Sequence, residues 1–229
     1  MSYAIDFPGV VTLPVVESSR AFPVGRIYCV GRNYAEHARE MGHDPDREPP
    51  FFFMKPADAI VPNGATIPYP QMTRDVHHEI EMIVAIGKGG ADIPVEKALD
   101  HVFGYGVGLD MTRRDLQGEA KKMGRPWEMG KAFDNSAPCT ALKTVSMVGH
   151  PAKGAIWLKV NGELKQKGDL AELIWNVPET IACLSRLITL RPGDIIMSGT
   201  PAGVGPIKPG DRLEGHVDGV GDLTVTYAK

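Results

Sequence analysis

The chain has 229 residues, 43% hydrophobic and 23% charged, a composition that supports a packed core and excludes a largely disordered protein. A formal net charge of -3, from 25 Lys plus Arg against 28 Asp plus Glu, gives no overall attraction to nucleic acid or to an anionic membrane, so a small molecule is the expected partner. Cys29, Cys139 and Cys183 lack CxxC spacing, which removes a disulfide framework and a thiolate zinc site and fits a reducing cytosol.

Near the N-terminus Asp6 and Pro8 interrupt what a signal peptide would need as an apolar run, and no stretch of about 18 apolar residues occurs. The expectation is a cytoplasmic protein without membrane contact. A single domain over 1–229 is expected, in which 1–25 form a short N-terminal strand or arm.

The 26 glycines and 19 prolines divide the chain into short segments rich in β-branched and aromatic residues, which predicts a mixed, β-rich α+β fold. In chain order the pattern predicts a strand over 26–31, a helix over 33–41, an exposed loop over 42–50 and a strand over 51–55. Strands over 76–86 and 102–111 and a helix over 112–122 come next. A strand over 156–160, a helix over 178–187, a strand over 194–198 and a terminal pair over 211–217 and 223–227 complete the set. Thr112, followed three residues later by Asp115, has the form of a capping box for the second helix.

Within 76–86, Glu79 and Glu81 are two residues apart, and a strand sends such positions to one face. Their neighbours Ile80, Met82 and Val84, with Ile83 and Ala85 continuing the carboxylate face, leave both faces apolar. Two carboxylates on a buried strand repel one another unless a cation lies between them. Spacing alone is equally compatible with two solvated glutamates. Asp110, at the end of the apolar strand 102–111, is either a third carboxylate for the same ion or a helix cap. Three carboxylates suit Mg²⁺ or Mn²⁺, with coordination positions left for water and a chelating substrate. His77 and His78 face opposite ways and read as structural.

On the helix over 33–41, His37 and Glu40 fall at i and i+3, where a carboxylate can orient an imidazole to act as a base. An isolated HxxE is more often a surface histidine beside a solvated glutamate. Asp110, Arg114 and Gln117 are spaced by four and three, so Arg114 and Gln117 share a helix face that continues from Asp110. Lys131 follows a Gly/Pro-containing loop; with Arg114 it can offset the excess negative charge of the carboxylates or stabilise an enolate. The run Ser198-Gly199-Thr200-Pro201 lacks the order of a phosphate loop and reads as a turn after a strand, from which Thr200 can donate to a carboxylate. The alternation Gly104, Gly106, Gly108 lacks dinucleotide-site geometry and relieves crowding on one strand face.

Taken in order, Gly31-Arg32-Asn33-Tyr34, Phe53-Met54-Lys55-Pro56, His78-Glu79-Ile80-Glu81, Gly108-Leu109-Asp110-Met111-Thr112-Arg113-Arg114-Asp115, Gly130-Lys131 and Ser198-Gly199-Thr200-Pro201 resemble the fumarylacetoacetate hydrolase family. The resemblance is to its short branch of acylpyruvate and fumarylpyruvate hydrolases. It implies a mixed β-sandwich or roll, a homodimer, and one Mg²⁺ or Mn²⁺ per chain at Glu79, Glu81 and Asp110. It further implies His37 and Glu40 as the water-activating dyad, Lys131 as a substrate-contacting lysine, and Arg114, Gln117 and Thr200 as substrate contacts. The expected reaction is hydrolysis of the carbon-carbon bond of a small 2,4-diketo acid. The same metal-enolate chemistry fits an oxaloacetate decarboxylase or tautomerase, or an unsaturated-diacid isomerase or hydratase; a binding protein without turnover is the reading from another class. A second substrate carboxylate would require a further cation, for which Arg32, Arg74, Lys121 and Arg125 are candidates. The loop 42–50 is either a lid over substrate or a plain mobile loop.

Overall fold

The computed structural model describes residues 4–6, 9–35 and 48–229. Its centre is a mixed sheet of eight strands built around β8 (Ile80–Ile86), a run buried at every position. On one side of β8 lie β15 (Ile195–Met197), β3 (Ile27–Gly31) and β4 (Phe51–Lys55); on the other lie β9 (Val102–Leu109), β11 (Ala137–Cys139) and β5 (Ile60–Pro62), with β12 (Lys143–Thr144) also pairing with β9. β8 runs antiparallel to both β9 and β15, whereas β15 and β3 are parallel.

A second, five-stranded sheet orders β14 (Glu163–Asp169), β13 (Ala155–Val160), β17 (Arg212–Val217), β18 (Gly221–Tyr227) and β6 (Thr66–Ile67). The two large sheets share a core. Ile80, Met82, Val84 and Val107 from the first meet Ile156, Leu158, Leu213 and Val225 from the second. The other face of β8, through Ile83 and Ala85, packs with Cys29, Ile195 and Met197 and is closed by Leu13 of β1 (Thr12–Leu13) and Phe22 of β2 (Phe22–Pro23). This is the β-rich fold with few helices that the sequence pattern predicts, arranged as the β-sandwich or roll that the family resemblance implies. Two buried faces explain why β8 is apolar at every position except Glu81.

Four α-helices are described: α1 (Arg114–Lys122), α2 (Glu128–Lys131), α3 (Val145–Val148) and α4 (Val177–Leu187). Among the described residues no helix is long and apolar enough to cross a membrane.

Several boundaries differ from expectation. The strand predicted over 76–86 breaks at Glu79 into β7 (Val76–His78) and β8, and the first pairs with β10 (Thr112–Arg113) and β16 (Gly205–Ile207) in a separate three-stranded sheet. The helix predicted from Thr112 starts at Arg114, because Thr112 and Arg113 pair with β7. The expected capping box is absent: Thr112 Oγ1 donates to the Asp110 carbonyl at 3.2 Å, while Asp115 accepts from Thr73 Oγ1 at 2.7 Å and from Arg74 N at 3.0 Å. A capping box does form at α4, where Asn176 Oδ1 accepts from Glu179 N and Glu179 Oε2 accepts from Asn176 N. The predicted helix over 33–41 falls mostly outside the described residues, as does most of the loop over 42–50.

Candidate metal centre

The site sits where neighbouring strands of the main sheet end together. Antiparallel pairing puts the start of β8 beside the end of β9, so Glu81 lies opposite Gly108 and the Asp110 amide donates to the Glu79 carbonyl at 2.9 Å. One oxygen from each of Glu79, Glu81 and Asp110 lies within 4.8 Å of the others, and all three residues are buried. Gly108 belongs to the same face, and a side chain there would run into Ile83 and Met197.

Three cations answer these three carboxylates. Lys131 Nζ stands between Glu79 Oε2 and Asp110 Oδ2, 2.7 Å from each. Lys55 Nζ lies 2.8 Å from Asp110 Oδ1 and donates to the Met111 carbonyl at 3.0 Å, and also to the Lys131 carbonyl. Arg114 pairs with Glu79 Oε1. Glu81 is held differently, accepting the Gly199 amide at 2.6 Å. Burial, followed by repulsion from Asp110 and Glu79, raises the Glu81 carboxyl well above its ordinary pKa. Burial opposes the charge on Lys131, but Asp110 and Glu79 outweigh it, and its pKa is raised.

Such a group of convergent, buried, hard oxygen donors can hold a divalent cation of the Mg²⁺ or Mn²⁺ type. Soft ligands are unsuited here. Burial pushes the Cys139 thiol up to about 12, and the Cys29 thiol is raised well above its usual value for the same reason.

Around the carboxylates, Arg114 donates to Gln117 Oε1 at 2.7 Å and to His77 Nδ1 at 3.4 Å, and His77 Nε2 meets Asp75 Oδ1 at 2.9 Å. Gln117 is buried against α2, where Gly130 lies so close that a Cβ would stand 2.9 Å from the Gln117 backbone nitrogen. Thr200 Oγ1 accepts from Gln166 Nε2 at 2.8 Å, which leaves the threonine proton free to be donated elsewhere. Gly199, at φ +100°, makes the turn that brings Thr200 and its own amide to the site; a side chain there would meet Asn33 Cβ at 2.6 Å.

Glu79, Glu81, Asp110, Arg114, Gln117, Lys131 and Thr200 thus line one cleft. Asp110 does not share a helix with Arg114 and Gln117. It precedes β10, and Arg114 reaches back to Glu79 from the first residue of α1. His37 and Glu40 lie outside the described residues.

Three further residues in the site's framework had no role in the sequence reading. Lys55 is 1% exposed and closes the apolar strand Phe51-Phe52-Phe53-Met54; a lysine at the end of such a run was the available signal. Asn33 donates from Nδ2 to the carbonyls of Trp175 (2.9 Å) and Ser198 (2.8 Å) and accepts from Trp175 N, tying the end of β3 to the turn that carries Thr200. Gln166 binds His78 Nδ1, the Ile80 amide and Thr200 Oγ1, and it lies in a polar strand whose pattern gives no hint of this.

A family model described as fumarylacetoacetate (FAA) hydrolase C-terminal matches residues 26–227. The solved structure of fumarylpyruvate hydrolase from Pseudomonas aeruginosa, in complex with Mn²⁺ and pyruvate, is 55% identical, covers 99% of each chain and superposes with a TM-score of 0.96. Mitochondrial oxaloacetate tautomerase FAHD1 from Homo sapiens is 45% identical over 89% of this chain and 91% of its own length. The Arabidopsis thaliana protein of that name is 42% identical over 89% and 92%. From its carboxylate centre, its fold and these likenesses, the chain belongs to the fumarylacetoacetate hydrolase family.

Proposed function

We propose that this protein is a divalent-metal-dependent hydrolase that cleaves the carbon-carbon bond of an acylpyruvate, releasing pyruvate and the carboxylic acid of the acyl group. The observation that carries the reading is the buried trio Glu79, Glu81 and Asp110 with Lys131, Arg114 and Thr200 in the same cleft. The likeness to a fumarylpyruvate hydrolase that holds Mn²⁺ and pyruvate supports the choice of reaction.

Held by Glu79, Glu81 and Asp110, Mg²⁺ or Mn²⁺ would act as a Lewis acid on two oxygens of the pyruvyl end. Arg114 and Gln117 orient the substrate from one side, and Thr200, its oxygen occupied by Gln166, donates its proton to the substrate carboxylate from the other. His37, oriented by Glu40, takes a proton from water, which attacks the carbonyl of the acyl group. The bond between that carbon and the methylene carbon breaks; its electron pair goes to the pyruvyl fragment as an enolate, which is then protonated. Lys131 stabilises that charge from a position already fixed by Glu79 and Asp110.

A second reading has direct support from the relatives of 42–45% identity named oxaloacetate tautomerase. Tautomerisation uses the same enolate-stabilising groups and only moves a proton, with no need for an activated water. The test follows ultraviolet absorbance of fumarylpyruvate, acetylpyruvate and enol-oxaloacetate with Mn²⁺ and with EDTA, together with assayed pyruvate. Metal-dependent release of pyruvate matched by the acid establishes the hydrolase. Enol-oxaloacetate decay without pyruvate release from either diketo acid overturns it in favour of the tautomerase.

A further inference from the structure

Phe51, Phe53 and Trp127 form an aromatic wall of the cleft, and a second pair of cations rests on it, of which Arg32 lines the cleft and Lys121 lies against Trp127. Phe51 and Trp127 meet edge to face with ring centroids 5.3 Å apart, and Phe53 flanks Trp127 at 5.8 Å. Each ring supports a positive charge. Lys131 Nζ lies 4.9 Å from the Phe53 centroid, Lys121 Nζ 4.8 Å from that of Trp127, and Arg32 Cζ 5.3 Å from that of Phe51.

Helix α1 aligns this outer pair with the metal centre. Arg114, Gln117 and Lys121 are spaced by three and four, so they share one face, and Lys121 stands about 10 Å beyond Arg114 along the axis. One end of that face is bound to Glu79, and the other lies two turns further along the helix, about the reach of a short extended acyl chain.

Among the described residues the outer cations lack the partners that the inner ones have. Among the described residues no ion pair engages Lys121 or Arg32, while Arg114 and Lys131 are committed to Glu79 and Asp110. The Lys121 pKa falls to about 8, from burial first and then from Arg114, Arg32 and Lys131. Arg32 is also partly buried, with Glu48 the acidic group acting on it at longer range. It is moreover held at φ +57°, a left-handed conformation that a side chain of this kind seldom adopts. Gly31 next to it abuts Phe51, where a Cβ would overlap the ring. The other cations considered for this purpose, Arg74 and Arg125, are exposed, whereas Lys121 is half-buried on Trp127, a ring that lines the cleft together with Arg32.

We infer that Lys121 and Arg32 select the acyl end of the substrate by binding a second carboxylate, so that the preferred substrate is a diketo diacid and not an acylpyruvate with a neutral tail. This inference rests on the hydrolase reading above. The inner carboxylate and keto oxygens belong to the metal end, and the aromatic wall lines the path of a planar unsaturated chain between the two.

The experiment compares kcat/KM for fumarylpyruvate and acetylpyruvate in the Mn²⁺-loaded wild type, Lys121→Met, Lys121→Arg and Arg32→Gln. Loss of one charge-assisted contact predicts that the fumaryl-to-acetyl ratio falls about 10- to 100-fold in Lys121→Met and Arg32→Gln and largely returns in Lys121→Arg. An equal fall for both substrates, or an unchanged ratio, overturns the inference. Calorimetric binding of fumarate to the same Mn²⁺-loaded proteins separates this question from turnover. If the wild type cleaves neither diketo acid, the hydrolase reading fails, yet weaker fumarate binding in Lys121→Met still supports the carboxylate site. Fumarate binding equal in wild type and Lys121→Met overturns it.

Discussion

Two groups of ionisable side chains in this protein have nearly the same chemistry and opposite surroundings. Glu79, Glu81 and Asp110 lie at the ends of β8 and β9, where both sheet faces are covered, and each is engaged by buried lysine, arginine or backbone N–H. His216, Asp218 and Asp222 lie on β17, β18 and the turn between them, in a sheet whose strands alternate buried and open positions, with His216 2.6 Å from Asp222 and 2.9 Å from Asp218. In the first group desolvation forces the charges to find fixed partners, and the arrangement can hold a cation. In the second water already solvates the charges, and the hydrogen bonds between them are a minor convenience. Composition does not separate the two clusters; cover does.

The contrast is broken most severely at Asp110. Asp110→Ala strands Lys55 and Lys131 as buried charges without that partner, and a destabilisation of about 3–5 kcal/mol is expected in urea unfolding. Asp222→Ala, by contrast, should leave the urea midpoint unchanged within error. If both variants unfold alike, burial is not what distinguishes the clusters. Gly199→Ala comes next: it adds a methyl group at φ +100° against Asn33, with an expected loss of about 1–3 kcal/mol and weaker Mn²⁺ binding, as the amide held to Glu81 shifts.

A subtler expectation concerns pH. The Glu81 carboxyl is raised mainly by burial, so its protonated form persists above the usual carboxylate range, and an incoming ion must expel that proton. Mn²⁺ affinity should therefore climb as pH rises, with proton release visible in calorimetry as a dependence on buffer ionisation enthalpy. Affinity independent of pH across the acidic range would contradict this. The smallest effect belongs to His216. Partial burial opposes its protonation, but hydrogen bonds with Asp222 and Asp218 prevail and raise its pKa above 6.5. That stabilisation is complete below the unfolded pKa and disappears as pH rises through the folded one. Because both aspartate partners are exposed and solvent screens the interaction, His216→Gln should reduce stability by a few tenths of a kcal/mol at most, at pH 5.5 and not at pH 9.

Much of the main sheet and of the carboxylate cluster was legible in the sequence because both depend on local pattern. The apolar run around Glu81 and the one ending at Leu109 read as buried strands, on which positions two apart share a face, and pairing then brings three acids together. Short strands such as β5, β6, β10 and β11 were not anticipated. Two or three residues carry too little periodicity, and their pairing is decided by distant partners. The same holds for Gln166 and Asn33, whose bonds span 34 to 165 positions in the chain. Thr112 illustrates a local rule that lost to a tertiary one, since pairing with His77 in β7 claimed the residue that composition assigned to a helix cap. Gln117 packs against Gly130, and α2 can approach α1 this closely only because that residue has no side chain, which no spacing rule reveals.

The pairing of β8 with β9 has a consequence for how this molecule can change over generations. Their register is continuous from Ile80 and Leu109 inward, and its single irregularity falls between Ala85 and Ile86, at the end away from the acids. A one-residue slip at the near end would turn Glu81 into the apolar core between the sheets and put Ile80 on the carboxylate face. Insertions and deletions should thus be tolerated beyond Ile86, where the ladder already absorbs an offset, and eliminated between Glu79 and Ile83. Lineages of this protein can lengthen at one end of that hairpin while the other end stays fixed to the residue.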